Sequence, residues 1–193
     1  MKNKDYKYIV GIDEVGRGPI AGPVMVGAFC VVVADQVVVL GELEGITDSK
    51  KISEKRREKY VEKIKGFQDR NLIKVAISSV SAKTIDQKGI VPAVNSALYA
   101  SLKKLNLDSK KTFVYLDGGL SAPPEYDQET IIKGDSKIWQ IGAASVVAKV
   151  VRDRKMIAYG KKYPNYGFEN HKGYGTKAHR EIIKELGVLD IHR

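Results

Sequence analysis

The chain has 193 residues, 43% of them hydrophobic, which suffices for one buried core and is too little for two of ordinary size. Its formal net charge of +10 favours polyanionic partners such as nucleic acid, and a single cysteine, Cys30, rules out an internal disulfide or a thiolate metal cluster, as expected in a reducing compartment. No apolar run reaches the roughly 18 residues of a membrane span and the first ten residues hold no secretory apolar segment, so a soluble cytoplasmic protein without a membrane partner is expected.

In chain order, residues 7–13 read as a strand, and 23–33 and 36–40 are two further β-branched runs with only Ala34 and Asp35 between them. That spacing is a hairpin signal and predicts three antiparallel opening strands. Ser53 is a plausible N-cap for a charged helix with Tyr60, Val61, Ile64 and Phe67 at roughly helical spacing. Residues 72–80 return to strand. A helix is predicted over 90–106, a strand closed by glycines over 111–119, and a short strand over 129–135. Residues 137–163 form the longest predicted helix, and its Gly142, Ala143, Ala144 and Ser145 would let it lie close to a neighbouring backbone. A last helix, near 177–186, follows a glycine-rich loop. The pattern is α/β, a mixed sheet flanked by helices in one domain.

Asp13, Asp117 and Asp135 each fall at the C-terminal end of a predicted strand, with Glu14 beside the first. Any one of them alone is what an ordinary strand-end turn would show. Together they are costly, because buried like charges repel unless cations hold them. Oxygen-only ligands select hard cations such as Mg²⁺ or Mn²⁺, and carboxylates holding two such ions are a recurring device for phosphodiester cleavage. On a basic chain this points to a nuclease. Successive strand residues face opposite ways, so Asp13 and Glu14 share a site only if the strand breaks at Glu14, and Gly16 is expected to supply the break. His171, His179 and His192 show no metal-motif spacing and read as structural or solvated; Ser49 and Ser145 belong to no nucleophile motif; no phosphate-binding Walker loop is present. Gly16-Arg17-Gly18 reads either as a tight turn or as backbone free to approach a ligand closely. Lys50 and Lys51 in "DSKK" read as a solvated turn or as phosphate contacts. Tyr174, between two glycines in "HKGYGTKAH", is an aromatic able to stack on a sugar or base, with Thr176 capping the helix that follows.

Taken together, "GIDEVGRGPIAGPV" (11–24), "DSKK" (48–51), "LDGG" (116–119), "KGDSK" (133–137), "AASVVAKVVRDRKM" (143–156) and "HKGYGTKAHREII" (171–183) resemble the blocks of the bacterial type 2 ribonucleases H, the ribonuclease HII family, in that family's order. The resemblance spans nearly the whole chain. It implies a ribonuclease H-like fold over residues 1–193, with about 164–193 as a small C-terminal helical extension, in a protein acting as a monomer. It also implies hydrolysis, dependent on Mg²⁺ or Mn²⁺ with two ions during catalysis, of the RNA strand of RNA–DNA hybrids. Duplex DNA carrying single ribonucleotides would be cut on their 5′ side, leaving 5′-phosphates. The family's catalytic, metal-holding acids fall on Asp13, Glu14, Asp117 and Asp135, its ribose-reading motif on Gly16, Arg17 and Gly18, and its junction-sensing tyrosine on Tyr174. The chain departs from the family at Gly118–Gly119, where one glycine is usual, and at "DIHR", where relatives run on for a short apolar segment. The substrate-binding domain that precedes the catalytic one in ribonuclease HIII has no room before residue 11. The alternative is a non-catalytic hybrid-binding module of the same fold, which would need the basic surface but not four acids at one place.

Overall fold

The computed structural model describes residues 5–193; residues 1–4, part of the stretch in which the sequence shows no secretory segment, lie outside the described residues. The chain runs β1 (Tyr8–Val15), β2 (Val24–Val32), α1 (Gln36–Glu42), α2 (Glu54–Asp69), β3 (Ile73–Val80), α3 (Ala82–Lys88), α4 (Ile90–Leu105), β4 (Thr112–Asp117), β5 (Asp127–Ile131), α5 (Trp139–Lys162), α6 (Phe168–His171) and α7 (Lys177–Leu186). The strands form one sheet in the order β3-β2-β1-β4-β5. β1 pairs antiparallel with β2, and β2 with β3, while β1, β4 and β5 run parallel. No helix among the described residues is long and apolar enough to cross a membrane.

The first three strands are antiparallel as expected, but the third is Ile73–Val80. Residues 36–40 are not a strand; they lie in α1. A two-residue hairpin needs positive φ at its turn, whereas Asp35 has φ −101° and ψ −3° and leads straight into a right-handed helix. Of the β-branched run only Val39 is buried; Val37 and Val38 face outward. α2 begins where expected, with the Ser53 hydroxyl accepting from the Arg56 N–H. α3 is an additional helix, capped in the same way by Ser81 on Thr84.

Alternation along the strands divides the core into two layers. Val10, Ile12, Val26 and Val114 pack with Val94, Leu98 and Leu102 of α4. On the other face Ile9, Phe29 and Val31 pack with Ile64 and Phe67 of α2 and with Ala143, Val146 and Val147 of α5. Cys30 is buried within the first layer, where burial pushes its thiol up to about 12. β2 is buried along nearly its whole length because helices cover both of its sides. A third cluster, around Met156, Tyr166 and Phe168, seats α6, α7 and the last residues against α5.

The close seat of α5 depends on two strand glycines. A Cβ on Gly11 would lie 2.1 Å from the backbone carbon of Gln140, and one on Gly27 would lie 2.7 Å from the Ala144 carbonyl oxygen. The small residues of α5 complete the contact, as anticipated. Gly11→Ala is therefore expected to destabilise the fold by about 3 kcal/mol or more, since backbone has to move. Gly41→Ala, in α1 with nothing within 4 Å of its added carbon, should be neutral or stabilising by up to about 1 kcal/mol. Denaturant unfolding of the two variants checks the contrast.

Candidate active site

β1 and β4 lie side by side in the same direction, and their ladder ends at Ile12 opposite Leu116. The next residue on each strand is an aspartate, Asp13 and Asp117, so parallel pairing itself sets two carboxylates at one edge of the sheet. β1 does not break at Glu14, contrary to expectation; it continues through Val15, paired only with β2. What ends is the β4 ladder. Asp13 and Glu14 leave the strand on opposite faces, yet with β4 no longer alongside both border one cavity. Gly16, with φ +87°, turns the chain only after Val15.

Asp135 is also not a strand-end residue. β5 stops at Ile131, Lys133 takes a left-handed conformation (φ 55°), and Asp135 sits in a 3₁₀ turn, Gly134–Ser136, just before α5. The Gly134 N–H donates to Asp117 Oδ1 at 2.6 Å and ties this turn to the end of β4. A side chain at position 134 would collide with Ile141 at 2.6 Å.

These elements enclose a cavity of about 400 Å³ lined by Asp13, Glu14, Gly16, Arg17, Gly18, Lys50, Asp117, Asp135 and Tyr174. All nine site residues expected from the sequence thus border one space. Ser49, Ser145 and Lys149 also line it and were not expected. The Ser49 and Ser145 hydroxyls are 2.9 Å apart in a buried contact, and Ser145 in turn supports the Asp13 carboxylate. Lys149 pairs with Asp153 at 2.7 Å. Ser145, Lys149 and Asp153 recur every four residues on α5, a one-faced spacing legible in the sequence. "DSKK" serves two purposes: Ser49 turns inward, while Lys50 caps an exposed turn through its N–H to Asp48 Oδ1 at 2.9 Å. The three histidines do not line the cavity. They stack behind the Tyr174 loop, with the His171 and His179 rings 4.0 Å apart and the Nε2 atoms of His179 and His192 3.1 Å apart.

Burial is the main electrostatic fact. Asp13 is 7% exposed, and its carboxyl is pushed up to about 8, first by desolvation and then by the charges of Glu14, Asp117 and Asp135, against the opposing hydrogen bond from Ser145. Glu14 is raised by burial and held back by Arg17, 3.5 Å away. Asp135 is raised by burial and by the charges of Asp48 and Asp117, with Lys50 pulling the other way.

Among the described residues no three carboxyl, imidazole or thiol groups already stand as the ligand set of one ion. Asp117 faces the Gly134 N–H and Glu14 faces Arg17. The donor chemistry nevertheless suits a hard divalent cation: four carboxylates border the cavity and neither thiol nor imidazole does. A cation would supply the counter-charge that offsets both the desolvation and the repulsion that keep Asp13 protonated.

The sign of the pH effect follows. Between the ordinary carboxyl value of 3.8 and about 8, folded Asp13 holds a proton that the unfolded chain has lost, so its contribution to stability falls as pH rises. In EDTA, Asp13→Asn should melt a few degrees above the parent at pH 8, and the gap should close toward pH 4. Thermal melts across that range test this.

Compared with known proteins, residues 10–193 match the ribonuclease HII family. A ribonuclease HII of Bacillus cereus (strain Q1) is 42% identical over 196 residues, covering 100% of this chain and 70% of the relative. The ribonuclease HII of Archaeoglobus fulgidus, solved in complex with PCNA, superposes with a TM-score of 0.73 at 25% identity over 96% of this chain and 93% of that one. Ribonuclease H2 of Pyrococcus horikoshii OT3 does so with a TM-score of 0.68 at 25% identity over 96% and 92%. With its sheet order, its acid-lined strand ends and this match along almost its full length, the chain belongs to the ribonuclease HII family.

Proposed function

We propose that Asp13, Glu14, Asp117 and Asp135 hold two Mg²⁺ or Mn²⁺ ions during catalysis, and that Gly16, Arg17, Gly18, Lys50 and Tyr174 bind the nucleic acid. The family's activity, endonucleolytic hydrolysis of the RNA strand of RNA–DNA hybrids, is this chain's activity. Single ribonucleotides embedded in duplex DNA are further substrates in this reading, cut on their 5′ side. The whole chain acts as one catalytic unit, monomeric and cytoplasmic, with residues 164–193 as its helical extension. The observation that supports the reading best is the single cavity onto which four acids, a glycine-flanked turn, a lysine turn and a tyrosine loop converge from separate parts of the chain.

Bound divalent ions supply Lewis acidity to the scissile phosphodiester and lower the pKa of the attacking water. Arg17, Lys50 and Lys149 border the cavity and neutralise phosphate charge. The peptide groups of Gly16 to Gly18 meet the 2′-hydroxyl, which both donates and accepts hydrogen bonds; Gly18 leaves the approach free of a Cβ. The Tyr174 side chain, 40% exposed, stacks on the following sugar and fits deoxyribose more easily than ribose. Ser145 holds Asp13 in place. A water oxygen bonds to phosphorus as the P–O3′ bond breaks, leaving a 3′-hydroxyl and a 5′-phosphate.

Asp117→Asn keeps size and removes charge. It should reduce cleavage at least about a thousandfold, on the order of 4 kcal/mol of barrier, while hybrid affinity measured in EDTA changes less than about threefold, because the phosphate contacts lie elsewhere. Cleavage near the parental rate with Mg²⁺ would overturn the four-acid site. Tyr174→Ala should lose more kcat/KM on a single embedded ribonucleotide than on a continuous hybrid. An equal proportional loss on both substrates would remove Tyr174 from junction sensing.

A further inference from the structure

The Gly16–Gly18 turn is held from behind by the C-terminal residues. Ala21 forms an antiparallel bridge with His192. The Gly22 N–H donates to the Ile191 carbonyl at 2.8 Å and the Arg193 N–H to the Ile20 carbonyl at 2.9 Å. On the opposite side of this segment, the N–H groups of Ile20 and Ala21 donate to the Gly173 carbonyl, at 3.0 and 3.2 Å, beside Tyr174. The segment after the turn therefore lies between the chain's last residues and the tyrosine loop.

Two guanidinium groups complete the arrangement. Arg152, fully buried, donates through Nε to the Pro23 carbonyl, through Nη2 to Ala21 and through Nη1 to Lys172. Arg193 donates through Nη2 to the Gly16 carbonyl at 2.5 Å. Both are bonded to carbonyl oxygens, a costly arrangement for Arg152, which is fully buried, and a less costly one for Arg193, which is half-buried. Burial and the charge of Arg152 bring Arg193 down to about 10. For anchoring a tail, an apolar side chain would serve better. A cation clamped on one peptide carbonyl instead fixes how the peptide unit between Gly16 and Arg17 is rotated, at the turn that faces the cavity.

We propose that Arg193 is a positioning residue for the substrate-reading turn: its guanidinium locks the Gly16 carbonyl so that the turn's peptide groups face the ribose at the cut site. The inference rests on the reading of Gly16–Gly18 as the ribose contact. Arg193 touches no reacting atom in this role, and its effect should appear in the rate of the bound complex more than in affinity.

The test compares Arg193→Ala, Arg193→Lys and Gly18→Ala in the full chain on a duplex with one embedded ribonucleotide, by single-turnover cleavage in saturating Mg²⁺ and by binding in EDTA. Gly18 is the control for the turn itself, since a Cβ there meets nothing in the protein within 4 Å and can clash only with substrate. Arg193→Ala should slow the bound complex about ten- to a hundredfold, the size of one charge-assisted hydrogen bond, with affinity within about threefold. Arg193→Lys should recover part of the rate, because it keeps the charge and loses the fork. Added guanidinium ion at millimolar concentration should restore Arg193→Ala in a saturable way and leave Gly18→Ala unchanged. If Arg193→Ala cleaves within about twofold of the parent while Gly18→Ala is slow, the turn reads ribose and Arg193 does not position it. If neither is slow, the reading of the turn falls, and this inference with it. Should Arg193→Ala fail to fold, Arg193→Lys decides: a parental rate overturns the proposal, and a reduced rate at unchanged melting temperature sustains it.

Discussion

The structure is organised around a desolvated carboxylate, Asp13, held among three other acids at the end of two parallel strands. Like charges in a low-dielectric site repel strongly, and without counter-charge the group keeps its proton. Several features of the fold follow from putting it there. Asp13 stands two residues beyond Gly11 on the same face of β1, and its partner across the ladder is Gly27. Those two glycines admit α5 to near backbone contact. The close approach carries Ser145 to Asp13 and sets Lys149 and Arg152 one and two turns further along the same helix. A helix standing farther off would leave the carboxylate wetter, with a lower pKa and less reason to take up a cation.

The second half of the site is built by loops bonded to loops. The tyrosine loop is fixed by the stacked histidines: the Tyr174 carbonyl lies 2.9 Å from His179 Nδ1, and the Gly173 N–H donates to His171 Nδ1. Burial pushes His179 and His192 down, which keeps them neutral near pH 7. Their mutual contact requires that, since one of the facing nitrogens has to accept. The apolar cluster of Met156, Tyr166 and Phe168 gives this layer its own small core.

The parts of this legible in the sequence were those with a local signature. The four acids stand out because charge at the end of an apolar run contradicts burial, and the glycine-flanked Arg17 because it follows them directly. The helix over 54–69 announced itself by Ser53. Other features had no local signature. Residues 36–40 carry strand composition, yet both sides of β2 are taken by β1 and β3, and the run became a helix exposing Val37 and Val38. Asp135 reads as a strand end because "TII" precedes it, whereas the left-handed Lys133 stops the strand first. Ser49 and Ser145 are 96 residues apart and meet only when α5 seats. The contact of Arg193 with Gly16 spans 177 residues, and no periodicity reports it.

The claim on which the account turns is that the buried acid cluster is poised for divalent cations, with the Asp13 proton as the species a cation displaces. Calorimetric titration of the protein with Mn²⁺ at pH 7, repeated in buffers of different ionisation enthalpy, measures that proton directly. With Asp13 titrating near 8, the account predicts release of about one proton on binding, and its loss in Asp13→Asn. Binding of Mn²⁺ without proton release, or with the same release from Asp13→Asn, would contradict it.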